Sequence, residues 1–446
     1  MKNIVIVGGG IAGLVAAVEA SRSGAPVLVL EKAASLGGRA ATRDKGGFSF
    51  NLGPHALYRH GALRQALRAF GIDPKGAVPG ANGGFALHHG RRHTLPAGFA
   101  SLLTTGLLPL SAKLEFARLL TAIGRVDAQA VQRQTLTAWL EANVRHALVR
   151  DLVKMLVRVT TFTNDPDRQS AGAALEQLQL GASGNVLYLD RGWQTMVDAL
   201  RAAAAANGAA FRVAAPVLGI DEIGPDATGV RLADGSRVDA GAVVLTGAPA
   251  DVDTIAGTRF AASLPPPVRL ATLDVALRTL PQPKRLVAFG VDAPVYFSVH
   301  SAVAALAPAG AAVIHVSQYL RPDEHAGRDV ERTLEGVLDD LQPGWRTVIE
   351  SKQFLPNLVV TNAELTAAQG GTAGRPSTRL PAFDNVFVAG DWVGPHGQLS
   401  DAAAASAIAA AQAALKRCAP QNRGTQAATA DRGTGAAQPF AAAVAS

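Results

Sequence analysis

The 446-residue sequence contains a single cysteine, Cys418. One thiol can form no intrachain disulfide, no cysteine-based metal cluster and no dithiol redox centre, so Cys418 reads as an inert thiol near the end of a helix. No apolar run is long enough to cross a bilayer. The first strand begins at Lys2 and leaves no room for a cleavable leader, so a cytoplasmic location is expected. Basic residues are scattered, and no Lys/Arg run is interleaved with aromatics. The formal charge of +7 therefore favours anionic ligands in general but not nucleic acid.

The hydrophobic content of 48%, much of it alanine, with 46 glycines and 25 prolines, is that of an α/β protein. The length is enough for two or three compact units. The segment Lys2 to Arg39 organises the rest. An apolar β-branched run, Ile4-Val5-Ile6-Val7, enters Gly8-Gly9-Gly10-Ile11-Ala12-Gly13. A small-residue helix follows to about Ser23, then Val27-Leu28-Val29-Leu30-Glu31 and Gly37-Gly38-Arg39. Gly8 permits the turn, Gly10 lets phosphates approach the backbone, and Gly13 lets the helix lie against the strand. Free amides at Ile11, Ala12 and Gly13, with the positive helix end, suit a pyrophosphate, and Glu31 stands where an acid can hold a ribose. The expectation is a dinucleotide site.

Further along, Phe48 to Leu52 alternates into Gly53-Pro54-His55, a turn that places His55 and Tyr58 at a strand end, where open α/β sheets bind ligands. His88, His89 and His93 lie on a polar hairpin spanning Phe85 to Leu95. No acid has convincing metal-site spacing to them, so no metal is expected. From Ser101 to about Leu180 the periodicity becomes helical. Within it, Leu102-Leu103 through Leu107-Leu108-Pro109-Leu110 suits either core packing or contact with a membrane or an apolar substrate. The α/β pattern returns with a helix from Gln194 to Ala206 and an apolar strand from Ala242 to Thr246, and a mixed sheet is expected between Pro265 and Val360. A strand ending in Ala389-Gly390-Asp391 precedes an alanine-rich helix from about Asp401 to Lys416. From Ala419 the tail lacks apolar periodicity and reads as disordered.

Together, Gly8-x-Gly10-x-x-Gly13, Glu31, Gly37-Gly38-Arg39, Asn51-Leu52-Gly53-Pro54-His55, the Val217 segment and Ala389-Gly390-Asp391 with its helix resemble the FAD-dependent amine oxidase and phytoene desaturase superfamily. The phytoene-desaturase-like branch is the nearer match. The resemblance implies a Rossmann-like FAD-binding domain of discontinuous segments (1–75, 190–260 and 378–418). It also implies a mixed-sheet substrate domain (76–100 and 261–377), with a helical insertion at 101–189 and the tail at 419–446. Glu31 would hold the adenosine ribose, Arg39 would pack near the pyrophosphate and flavin, Val217 would present its backbone to adenine, and Asp391 would hold the ribityl-phosphate end. Leu399 to Ala402 would set helix amides against the pyrimidine edge. Lys32, Gly38, Gly53, Pro54 and Gly390 complete the implied cofactor-binding set.

The loop Gly394 to Leu399 supplies no aromatic ring, and the strand near Arg269 to Leu277 has no lysine, which weakens simple amine oxidation. The leading expectation is an FAD enzyme that removes hydride from a C–H bond of a lipophilic small molecule. Electrons would pass on to oxygen or another acceptor, and peripheral membrane contact is a further expectation. Isomerisation or saturation of a polyene or similar lipid, amine oxidation, and a non-catalytic carrier are the alternatives. His55 is the candidate for proton handling, with a loop-holding role as its plainer reading.

Overall fold

A computed structural model describes residues 2–80 and 83–419, so the expected tail, Ala419 apart, lies outside the described residues. The protein has an α/β fold with two principal sheets. The first is parallel, in the order Ala210–Arg212, Val27–Leu30, Ile4–Val7, Ala242–Leu245, Val386–Val388. Val5 lies opposite both Leu28 and Val243. Continuous apolar, β-branched runs suit strands buried on both faces.

One face of this sheet packs on the helices Ile11–Ser21, Gln194–Ala206 and Leu399–Cys418. Ala16, Ala17 and Ala20 of the first and Ala404, Ala407 and Ala411 of the last are all buried, and side chains this small let the two backbones approach closely. Cys418 is buried at the end of the last helix, where burial pushes its thiol pKa up. A three-stranded antiparallel sheet, Val217–Ile223, Asp226–Leu232 and Arg237–Asp239, covers the other face. The returning chain thus extends the first sheet with Ala210–Arg212 and Ala242–Leu245 only. The intervening hairpins form a layer of their own.

The second sheet has seven strands, in the order Ile349–Thr361, Val268–Leu277, Ala312–Tyr319, Val295–Val299, Val287–Gly290, Phe85–His88, Arg91–Thr94. It is mixed: Val287–Gly290 pairs parallel with Phe85–His88, and its other pairs are antiparallel. Period-two alternation sorts its faces. Leu273, Val275, Ile314, Val316 and Phe297 pack with Leu334 and Leu338 of the helix Arg328–Leu341. Thr272, Asp274, His315, Ser317, Tyr296 and Ser298 take the alternate positions, with Asp274 opposite His315 and Thr272 opposite Ser317.

The helices Leu110–Ile123, Leu136–Asn143, Ala147–Thr161 and Ala171–Gly184 share one apolar core. Thr135 and Ser170 cap two of them by accepting from the Ala138 and Ala173 amides. After these helices, at the end of the expected insertion 101–189, Val186–Leu189 is a strand, paired with Leu57–Tyr58 and Gly76–Ala77. In the apolar stretch after Ser101, Leu102, Leu107 and Leu108 are buried, whereas Leu103 and Leu110 are exposed. Among the described residues no helix is long and apolar enough to cross a membrane.

Candidate active site

A cavity of about 1540 Å³ runs from the carboxyl ends of the first sheet, beneath the second sheet, to the helical insertion. Single ligand pockets span roughly 300–1,000 Å³, so this one has room for a large cofactor and a second molecule.

The cofactor wall is built from backbone. Gly8 has φ +112°, and a side chain there would run into the Thr246 hydroxyl, which itself donates to the Val7 and Gly8 carbonyls at 2.9 and 3.2 Å. A Cβ on Gly13 would collide with the Gly8 carbonyl, so this glycine serves the strand–helix contact and does not line the cavity. Gly10 is different. It has an ordinary extended backbone, and a Cβ there would meet nothing nearer than the Gly37 carbonyl at 4.0 Å. Packing within the protein does not require glycine at this position. The open space lies at the start of a helix whose first amides, at Ile11 and Ala12, face the cavity. That cradle fits a pyrophosphate, and Gly38 borders it from the opposite side.

Glu31 lies at the end of its strand, where its carboxylate accepts from the amides of Gly9 at 2.6 Å and Ala33 at 2.7 Å. It thereby pins the glycine turn to the strand end while still lining the cavity. Lys32 is exposed and pairs with Asp251 at 3.0 Å. Val217, with Ala215 and Pro216, lines the same end.

At the other end of this wall, Arg39 Nη1 donates to Asp391 Oδ2 at 2.7 Å and to the Val360 carbonyl at 2.8 Å. The Asp391 carboxylate also accepts from the Asn362 amide at 3.2 Å and from its side chain at 2.8 Å. Arg375 donates to the Asp391 and Gly397 carbonyls, and burial lowers its pKa to about 10. Gly390 lines the wall, and Leu399 opens the last helix with φ +53°, a left-handed conformation strained for leucine.

The turn after Asn51 joins this wall to the second sheet. Gly53, with φ +77°, rests against Thr272 and Leu358, and its amide donates to Asp274 at 3.3 Å; it lies behind Pro54 and does not itself line the cavity. His55 lines the cavity, yet its Nδ1 faces the Gly53 carbonyl and its Nε2 the Arg39 carbonyl, each at 3.0 Å. Burial holds its pKa below the usual histidine value. A neutral imidazole carries one N–H, so the ring donates to one of these carbonyls and lies against the other, between the two loops and packed edge-on against Trp193.

Sequence reasoning missed Asn362, Arg375 and Thr246, which hold the cofactor wall, and a buried polar group on the second sheet. Asp274 and His315 are fully buried and joined at 2.7 Å, and Asp274 also accepts from Thr272 at 2.8 Å. Beside them stand His300, Tyr296 and Tyr188. Their shared face comes from strand register, which no local spacing shows. The same holds for Asp292, which the fold brings to His88 and His89; its Oδ2 already accepts from the His89 amide at 2.9 Å, and the group is largely exposed.

Residues 11–415 match the sequence profile of the flavin-containing amine oxidoreductases. A 74-residue segment is 42% identical to an L-amino acid oxidase of Cerastes cerastes, covering 16% of this chain and 14% of that protein. Another of 74 residues is 38% identical to a carotenoid 3,4-desaturase of Haloarcula japonica, covering 17% and 15%. The matched segments thus span only a small part of these relatives' length. The structure of a cyclohexylamine oxidase from Brevibacterium oxydans superimposes with a TM-score of 0.71 at 16% identity, over 93% of this chain and 99% of that one, a likeness of fold. The chain belongs to the flavin-containing amine oxidoreductase family, whose cofactor is FAD.

Proposed function

We propose that this FAD-dependent oxidoreductase removes a hydride from a C–H bond of an uncharged, largely apolar small molecule and a proton from the neighbouring carbon or nitrogen, leaving a C=C or C=N bond. The hydride passes to FAD and the proton to solvent. One observation carries the reading. The Asp, Glu, Lys and Arg side chains lining the cavity are Glu31, Lys32, Arg39, Asp251 and Asp391, all on the cofactor wall; among the described residues, no other of these types lines the remainder. There the walls are largely apolar, with Leu120, Ile123 and Leu156 from the insertion and Leu270, Phe289 and Leu358 from the second sheet, and the polar side chains among them are uncharged. A carboxylate or ammonium brought into such a space would be buried without a partner, at a cost of several kcal/mol.

Bound flavin supplies the hydride acceptor. The protein's own part is to hold the reacting carbon in place and to exclude water, for which close-packed apolar walls suffice. The Arg39–Asp391–Asn362 cluster fixes the cofactor wall, and His55 fixes the turn between that wall and the substrate space.

The test is anaerobic mixing of FAD-loaded protein with a panel of uncharged apolar compounds, α-amino acids and diamines, with the flavin absorbance followed. Bleaching by uncharged members, with a product two hydrogens lighter, is the expected result. Bleaching by amino acids alone overturns it, and product of unchanged mass without bleaching moves the assignment to isomerisation.

A further inference from the structure

In the part of the cavity assigned above to the substrate, the polar side chains Tyr58, Thr160, Gln179, Ser183 and Asn185 donate to backbone carbonyls, and a compact polar group on the wall stands apart from them. Tyr188, Tyr296, Ser298 and His300 all line the cavity, and each is at least nine-tenths buried. The Tyr188 and Tyr296 hydroxyls are 3.3 Å apart, and Tyr296 Oη lies 3.2 Å from His300 Nε2. The Ser298 hydroxyl adjoins both phenols. His300 is stacked on Tyr188 at 3.9 Å and meets the ring of His315 at 4.6 Å. Its position is therefore set from both sides.

The group is neutral. Burial holds His300 well below the usual histidine range and raises both tyrosines above theirs. The charge beneath it is spent elsewhere, since the Asp274 carboxylate accepts from His315, Thr272 and the Gly53 amide. In neutral form, two phenols, one serine and one imidazole carry four hydrogens, yet the group makes only two hydrogen bonds at good geometry. Hydrogens are left to donate into the cavity, and buried donors without acceptors are costly. The two bonds can run in either direction along the chain, so the spare donor can stand at Tyr188 or at His300, with a lone pair at the other end.

We propose that Tyr188, Tyr296, Ser298 and His300 form a subsite for one uncharged oxygen, a carbonyl or hydroxyl, on an otherwise apolar ligand. The proposal rests on the assignment of this space to an apolar substrate and adds a point of recognition to it. A carbonyl would take the spare hydrogen, and a hydroxyl could accept and donate at once. A carboxylate or ammonium would find no counter-charge on this wall.

The test is binding, without turnover. FAD-loaded protein is titrated with decan-2-one, decan-2-ol, dec-1-ene, decanoate and decylammonium, and affinity is read from the perturbed flavin spectrum and by calorimetry. The ketone and alcohol are expected to bind at least roughly tenfold more tightly than the alkene, the worth of one satisfied buried hydrogen bond. Tyr188→Phe/Tyr296→Phe, which removes both phenols, should sharply reduce that preference while leaving alkene affinity unchanged. Retained flavin and an unchanged melting temperature certify its fold, and if the double variant does not fold, His300→Phe in the parent carries the same comparison. Equal binding of ketone and alkene overturns the subsite but leaves the apolar cavity standing. Tight binding of decanoate or decylammonium alone overturns both.

Discussion

The two halves of the cavity are built by opposite means. The cofactor wall presents backbone: glycines at 8, 10 and 38, free amides at a helix start, and charged side chains that mostly bind one another. The half proposed for the substrate presents side chains from strands and helices distant in sequence, largely apolar, with a cluster of uncharged polar groups at Tyr188, Tyr296 and His300. A shared cofactor can be met by a local backbone motif, whereas a particular substrate needs a surface composed from many elements. Variants that act on one half and spare the other test this division.

The largest effect is expected behind the substrate half. Asp274→Ala strands the His315 Nδ1, the Thr272 hydroxyl and the Gly53 amide in a fully buried site. A loss of about 3–5 kcal/mol of stability follows, visible in urea unfolding. A melting curve like that of the parent would show that this network is not what holds the second sheet to the Gly53 turn.

Next comes a carboxyl of the closing helix. Burial raises the Asp401 pKa to about 6; Oδ1 accepts from the Leu63 amide at 2.8 Å, and Oδ2 is buried without a partner. A carboxyl whose folded pKa lies above its unfolded value of about 3.9 stabilises the fold only while protonated. Stability is therefore expected to fall as pH rises from about 4 to about 6, by up to about 3 kcal/mol. Asp401→Asn should recover that amount at pH 7.5 and change nothing below pH 4. Equal gains at both pH values would point to packing and not to charge.

On the cofactor wall, Gly10→Val should weaken FAD binding roughly a hundredfold, about 2.7 kcal/mol, while the apoprotein melts as before. Gly13→Val, whose side chain meets the Gly8 carbonyl, should lower both stability and FAD retention. Were Gly10→Val to unfold the apoprotein, the space at Gly10 would belong to packing.

The smallest effect belongs to the joint between the halves. His55→Ala removes one hydrogen bond to a loop carbonyl and the packing on Trp193, at an expected cost of about 1–2 kcal/mol, and leaves FAD bound. Flavin reduction by substrate should persist; its abolition in a folded, FAD-loaded variant would restore His55 as a proton carrier.

How much of this could be read in advance follows the same division. The strand, turn and helix through Gly13, and the alanine helix after Gly390-Asp391, are legible because strand alternation, glycine turns and helix starts depend on residues adjacent in the chain. Gly53 illustrates the limit: it belongs to a recognisable motif, and only the packing reveals that it rests on Thr272 and Leu358. Arg39 and Asp391, each implied to face the cofactor, turn out to bind each other across 352 positions of sequence.

The sequence by itself determined the family and the strand–turn–helix units at the two ends of the chain, since each rests on short-range geometry repeated at fixed spacing. Only the tertiary structure decided that Asp274 meets His315 and that Tyr188 meets Tyr296 and His300. Strand register and burial, which set these neighbours and their protonation, are properties of the assembled sheet and leave no periodic mark in the chain.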